Sequence, residues 1–503
     1  MGNLPEKPNL LLIMTDQDRG LMHFPPGWEE KNLVAMPRLR KKGISFTNAF
    51  CSTCMCSPSR ATTFTGVYPP QHGVTLTLTE GMPYSNREKT LPMGMQNMAR
   101  MLKAGGYSVN YIGKWHLSKD VEGDYDHLTS ARLAAYGFDG WTPPDAGEDT
   151  APEHFGGGIA NNDLRYINEA IDFLQQQQMN RSRKPFALIL SLVNPHDVLA
   201  YPADWGEDGI SPNYSNKYLV GDIQLPKNIN ENLKENYKPV VQQLFLPYCN
   251  AGLGALTDET MQLNYLNFYG NLIRQSDSLI NSVLDTLYQV YDTIEGKSLA
   301  HDTIVIRTAD HGEMGLTHGG MRQKAYNAYE ETIHVPMVIS NPVLFPEGKM
   351  TDELMTLVDI MPTISTLLNV NNPLNYTLKG ADLSPVILGT ATEPVQEEIL
   401  FTFDDFRAGN ANLLDPMPTA NRIRCIREKD WKYSEYFYIA PEGKDPKMSH
   451  PNEYEMYHLK EDPHEMENLA NPDHPRYNDP FVVAERNRLA AKLATLKDQK
   501  LAW

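Results

Sequence analysis

Three cysteines, a proline and an arginine fall within one short stretch, Cys51-Ser-Thr-Cys54-Met-Cys56-Ser57-Pro58-Ser59-Arg60, and the run up to Gly66 could open a helix. A thiol at a helix N-terminus feels the positive end of the backbone dipole, and a nearby guanidinium adds to it, so the position favours a reactive side chain or a bound anion. Elsewhere four apolar runs break off at residues able to hold a cation or move a proton. They are Asn9–Met14 before Asp16 and Gln17, Tyr107–Ile112 before Lys114 and His116, Phe186–Val193 before His196, and Thr303–Thr308 before Asp310 and His311. Taken singly, each has a plainer role. Asp16 suits a turn or helix cap, His196 a satisfied structural histidine, and Gly113-Lys114-Trp115-His116 a loop that buries its tryptophan. Cys51-x-x-Cys54-x-Cys56 also reads as a zinc or iron–sulfur binding module, with no fourth ligand nearby, or as buried small residues.

The elements that must carry these groups read as an α/β fold. Continuous apolar runs of strand length are expected of strands covered on both faces, and ligands of open α/β sheets collect at the strands' carboxyl ends. If the strands are largely parallel, the four ends and the cysteine stretch converge on one crevice. The pattern predicts a large, mostly parallel mixed sheet sandwiched by helices over residues 1–388. Helices are expected near 36–44, 91–103, 163–178, 260–292 and 355–368, and another carrying Lys324, Tyr329 and Glu330. Segments 118–162 and 197–258 lack steady periodicity and read as insertions, suited to a lid and to specificity. Gly156-Gly157-Gly158 is not followed by the Lys and Ser or Thr of a phosphate-binding loop. Beyond about 389 the texture changes to strand candidates at 399–404, 421–428, 431–438 and 454–459, then a helix near 482–498. This predicts a smaller C-terminal α+β subdomain (389–503) with a four-stranded antiparallel sheet.

With 503 residues the chain is long enough for such a core and companion, and a net charge of −18 argues against a general nucleic-acid-gripping surface. Local Lys, Arg and His can still receive an anion. No run approaches the length needed to span a bilayer. Five cysteines do not suggest a disulfide scaffold, and no signal-peptide pattern is seen, which together favour a cytoplasmic location. The sequons at Asn180, Asn213 and Asn375 read as chance matches on that basis.

Cys56-x-Pro58-x-Arg60 followed by Thr63-Phe64-Thr65-Gly66 resembles the signature of type I sulfatases of the alkaline phosphatase superfamily. Asp16, Gly113–His116, Pro195-His196, Asp310-His311-Gly312, Lys324 with Tyr329-Glu330, and Tyr457–Leu469 are similar to the family's positions in the same order. The resemblance implies that a formylglycine-generating enzyme oxidises Cys56 to an aldehyde whose hydrate attacks the sulfur of a small-molecule sulfate ester. It also implies one divalent cation on Asp16, Gln17, Asp310, His311 and the modified Cys56. Lys114 and Lys324 would stabilise transition-state charge, His196 would protonate the leaving alcohol, His116 would take the remaining hydroxyl proton, and Arg60 would orient the nucleophile. Calcium is the family's usual ion. Asp16-Gln17 and His311 depart from the commonest pattern of two adjacent Asp and an Asn, which brings Mn2+ or Zn2+ and a phosphonate monoester or phosphodiester hydrolase into view. His72, Asp404, Asp405 and Arg407 could reach the pocket but read more readily as structural or solvated. A homo-oligomer is compatible with the sequence; a nucleic-acid or membrane partner is not expected.

Overall fold

The computed structural model describes residues 4–20, 23–120, 127–147, 154–180, 184–205, 213–292, 296–408, 419–440 and 449–503. Its strands in chain order are β1 (Asn9–Asp16), β2 (Gly43–Phe50), β3 (Thr53–Cys54), β4 (Ser108–Gly113), β5 (Phe186–Pro195), β6 (Val290–Asp292), β7 (Lys297–Ser298), β8 (Thr303–Ala309), β9 (Met337–Ser340), β10 (Lys349–Thr356), β11 (Glu398–Phe403), β12 (Arg422–Glu428), β13 (Trp431–Phe437) and β14 (Glu453–His458). Seven form one sheet in the order β10-β2-β9-β8-β1-β5-β4. β9 runs antiparallel to both its neighbours and the other pairings are parallel.

The apolar runs are continuous because both faces of the sheet are covered. On β1, Leu10, Leu12 and Met14 enter one core, and Leu11 and Ile13 the other. The first core is closed by the helices Cys56–Thr65, Met98–Ala104 and Ile360–Leu367, the second by Ala35–Lys41, Asn162–Met179 and Glu259–Tyr288. Parallel pairing puts the ends of β1, β4, β5 and β8 on one edge of the sheet, as the pattern of strand ends requires.

Several local expectations need correction. The helix expected over 91–103 spans only Met98–Ala104, because Pro92, Gly94 and the capping Asn97 hold the preceding segment in turns. The segment carrying Lys324 and Tyr329 is not helical. Gln323 and Tyr326 have positive φ, and only Glu330–Ile333 form a short helix. Residues 355–356 belong to β10, and the helix begins at Ile360 with Pro362 in its first turn, where a missing N–H costs nothing.

The C-terminal sheet has the order β14-β13-β12-β11-β3. Its four C-terminal strands are antiparallel, as expected. The fifth, β3, lies just before Cys56 and pairs in parallel with β11, Thr53 opposite Thr402 and Cys54 opposite Phe403. The helix Pro480–Leu501 packs Val482, Leu489, Leu493 and Leu496 against Leu400, Ile426 and Met456. In the 197–258 insertion Trp205, Tyr214 and Tyr218 all contact Phe268 of the long Glu259–Tyr288 helix, with ring centroids 5.0 to 6.3 Å apart. Among the described residues no helix is long and apolar enough to cross a membrane.

Candidate active site

Cys56 is the first residue of the helix Cys56–Thr65, all ten residues of which are buried. Thr63 and Thr65 turn their hydroxyls back to the carbonyls of Ser59 and Ala61 at 2.9 and 2.7 Å, so these polar side chains are satisfied within the helix. Gly66 ends it at φ 69°, where a side chain would be strained. The Cys56 thiol stands at the helix's positive end, with Sγ 3.6 Å from Asp16 Oδ1 and 3.0 Å from His311 Nε2.

Asp16, Cys56, Asp310 and His311 offer ligand atoms within 4.8 Å of one another, and all four residues are buried. His311 Nδ1 lies 3.0 Å from the Gly312 carbonyl, which accepts only from a protonated nitrogen and so leaves Nε2 as the electron-pair donor facing Cys56. Two carboxylates and one imidazole of this tautomer fit a divalent cation. Gln17 donates its backbone N–H to Asp310 Oδ1 at 3.1 Å, while its side-chain oxygen accepts from Lys324 Nζ at 2.7 Å.

Arg60 ties the donors together. Its Nη2 donates to Asp16 Oδ2 at 3.0 Å, its Nε lies 2.9 Å from Asp310 Oδ2, and its Nη1 donates to Ser191 Oγ and the Lys114 carbonyl at 2.7 and 3.0 Å. Lys114 Nζ lies 2.8 Å from Asp16 Oδ2. Burial alone would raise the Asp16 carboxyl, but Lys114, His196, Arg60 and His311 outweigh it and hold Asp16 well below the usual range. Asp310 goes the other way, to about 7, because burial and the Asp16 charge exceed the help of Arg60 and Lys114. One carboxylate is thus held ionised while its neighbour strains against ionisation, a balance that a cation between them would relieve.

Strand β4 delivers Lys114, Trp115 and His116 into a tight turn in which His116 has φ 55°. The turn is fixed by Asp145, which accepts the backbone N–H groups of Trp115 and His116 at 2.8 and 2.7 Å. His116 Nε2 lies 2.8 Å from the Leu78 carbonyl, so that nitrogen carries the proton and Nδ1 is the basic one. At the end of β5, Asp163 accepts from the N–H groups of Val193 and Asn194 at 2.7 and 3.0 Å and so sets the chain just before His196.

Asp145, Asp163 and Glu313 are site-shaping residues that sequence reasoning missed. Glu313 accepts from Gln17 Nε2 at 2.5 Å, Tyr265 Oη at 2.7 Å and Gln323 N at 3.1 Å. Its place in the Asp310-His311-Gly312-Glu313 run was the available signal; Asp145 and Asp163 had none. His72 is structural: it is buried against Thr62 at 3.0 Å, and burial pushes its pKa down to about 3. Cys51 and Cys54 are buried free thiols whose sulfurs lie 3.7 Å apart, and among the described residues neither joins a metal-ligating group.

The sulfatase family model matches residues 8–370, and that of the N-sulphoglucosamine sulphohydrolase C-terminal region matches 319–498. The chain belongs to the sulfatase family. It is therefore of a family of sulfuric ester hydrolases, and its relatives include an ulvan-active sulfatase of Formosa agariphila, 26% identical over 86% of this chain and 73% of that protein. Among solved structures, a 2-O GAG sulfatase superposes with TM-score 0.69 at 21% identity, covering 98% of this chain and 93% of the other. A phosphonate monoester hydrolase of Agrobacterium radiobacter superposes with TM-score 0.67 at 19% identity, covering 98% and 96%. At those identities the superpositions speak for the shared fold of this sulfatase-family chain.

Proposed function

We propose that the protein hydrolyses a sulfate monoester borne by a carbohydrate, with Cys56 as its formylglycine precursor and a divalent cation on Asp16, Asp310 and His311, Gln17 completing the set. The observation that carries this reading is the thiol of Cys56 at a buried helix N-terminus within reach of both Asp16 and His311. The carbohydrate is suggested by the ulvan-active and 2-O GAG sulfatases among the relatives. The oxidised Cys56 would supply a hydrated aldehyde as nucleophile, and the cation held by Asp16, Asp310 and His311 would supply a Lewis acid for a sulfate oxygen.

The chain's own side chains do the rest. Lys114, beside Asp16, and Lys324, which donates to Gln17, place fixed positive charge where sulfate oxygens gather negative charge. His196 protonates the departing alcohol oxygen. His116 accepts a hydroxyl proton at Nδ1, the nitrogen not committed to Leu78. Arg60 keeps Asp16 and Asp310 in register with the nucleophile.

The test is mass spectrometry of the peptide containing Cys56, paired with sulfate release from an aryl sulfate by wild type and Cys56→Ala. A peptide carrying aldehyde in place of thiol, with activity lost in the variant, is expected; a fully active sample with unmodified thiol overturns the reading. A second reading, a phosphonate monoester or phosphodiester hydrolase, is favoured by the pairs Asp16-Gln17 and Asp310-His311 and by the Agrobacterium neighbour. Turnover of aryl phosphonate or diester without turnover of aryl sulfate would select it.

A further inference from the structure

Two features stand outside the reaction above: the Gly156-Gly157-Gly158 run, which is no phosphate-binding loop, and the buried Asp197 directly after His196. The structure joins them. Asp197 Oδ2 accepts the backbone N–H of Gly156 at 2.9 Å and a hydrogen bond from the Tyr214 hydroxyl. That hydroxyl in turn accepts from Gly157 N at 3.1 Å and from Asn194 Nδ2 at 3.2 Å. One residue before Tyr214, Asn213 Oδ1 accepts from Ile159 N at 3.3 Å, so the loop is held a second time.

The approach requires glycine. A Cβ at Gly156 would come within 2.7 Å of Asp163 Oδ2, 2.8 Å of Asn194 Nδ2 and 2.9 Å of Val193 Cβ, and one at Gly158 within 2.8 Å of Asn213 Cβ. The bare backbone of the loop therefore lies directly against the end of β5. The Tyr214 ring packs on Phe268 and Phe155, with centroids 5.0 and 6.0 Å away. One carboxylate thus gathers residues of both insertions, 118–162 and 197–258, onto the strand that ends at His196.

His196 is pinned through its neighbours on both sides. Asp163 holds the N–H groups of Val193 and Asn194 before it, and the Tyr214 and glycine contacts hold Asp197 after it. Burial pushes the Asp197 carboxyl up, against the Tyr214 hydrogen bond, the charge of His196 and the two glycine N–H groups. The charge of His196 also acts on Asp16, so the imidazole is within electrostatic reach of both the cation donors and this brace.

We infer that Asp197, Tyr214 and the Gly156-Gly157 backbone are positioning groups that hold His196 on the departing alcohol oxygen. This rests on the sulfatase reading, with His196 as the leaving-group acid, and deepens it. Protonation matters most where the departing oxygen is strongly basic, as in a sugar alcohol, and least where a stabilised phenolate leaves unaided. A misplacement of His196 by a fraction of an ångström would therefore be felt selectively, by esters of basic alcohols.

The experiment uses matured full-length enzyme and two esters, phenyl sulfate and para-nitrophenyl sulfate, the second with the better leaving group. Tyr214→Phe keeps the ring and removes only the hydroxyl. It should lower kcat/KM for phenyl sulfate about tenfold more than for para-nitrophenyl sulfate. Gly156→Ala, which drives the loop off β5, should show the same bias. His196→Ala should show it more strongly, and Tyr214→Phe added to His196→Ala should bring no further bias. Equal falls for both esters in Tyr214→Phe and Gly156→Ala overturn the inference, since damage to the fold slows both alike. A Tyr214→Phe bias that persists undiminished without the His196 imidazole overturns it as well. Absence of sulfate release from both esters by the wild type would instead sink the sulfatase reading.

Discussion

Arg60 has the most demanding geometry in the site, because one planar guanidinium spans Asp16, Asp310, Ser191 and the Lys114 carbonyl at 2.7 to 3.0 Å. A lysine ammonium is a point donor and cannot span the two carboxylates in that plane. Arg60→Lys should therefore lose two charge-assisted contacts, about 3 kcal/mol or more, and lower sulfate release about 100-fold. The bound metal of the purified protein, read by elemental analysis, should fall with it; unchanged metal and rate would refute this role. Asp145 acts through His116. In Asp145→Asn one of the two backbone N–H groups it receives must face an amide NH2. The expected result is a kcat about tenfold lower with KM nearly unchanged, and a thermal midpoint close to wild type. An equal fall in kcat/KM and thermal stability would mark Asp145 as structural only.

At the scale of elements, the strands that deliver Asp16, Lys114, His196 and Asp310 were legible because a strand buried on both faces must be apolar throughout and stop where polar chemistry begins. The partners of those residues were not. Asp145 and Asp163 bind backbone N–H groups brought close only by folding, and nothing in the residue types near them announces it. β3 was illegible for another reason: two residues, Thr53 and Cys54, carry no periodicity, and the pairing with β11 comes from a strand almost 350 residues later. That pairing makes the C-terminal sheet part of the site rather than an appendage. Tyr68 donates to the Leu400 carbonyl at 3.2 Å, and Gln71 to the carbonyls of Lys500 and Ala502 at 2.8 Å. The match of the C-terminal family region from residue 319 likewise runs across the expected boundary near 389. A chain truncated before Glu398 would leave β3 unpaired and expose Tyr68 and Val358, which pack with Leu400. It should be insoluble or lack sulfatase activity; a soluble, active 1–397 fragment would show that the sheet is dispensable.

At the scale of the whole molecule, Glu331 stands where three distant segments meet. Its Oε1 lies 2.6 Å from His23 Nε2 near the N-terminus and its Oε2 3.9 Å from His318 Nε2, while His318 Nδ1 lies 2.6 Å from Glu231 of the 197–258 insertion. His318 also stacks on Tyr329 at 3.7 Å, which donates to Glu455 of the C-terminal sheet at 3.0 Å. Burial would raise the Glu331 carboxyl, but the His23 hydrogen bond and the charges of His318, His23 and Arg19 outweigh it and bring it down to about 2 from 4.5. A carboxylate whose folded pKa is depressed stabilises the fold above its unfolded pKa, and that contribution fades as pH falls toward the folded value. Here it amounts to about 3 kcal/mol. Glu331→Gln should consequently unfold at lower denaturant concentration than wild type at pH 5 to 6, and the gap should narrow steadily from about pH 4.5 toward pH 2. Denaturant titrations of both proteins across that range check it. A gap that stays constant with pH would mean that the carboxylate charge contributes nothing and that the three segments are held by packing alone.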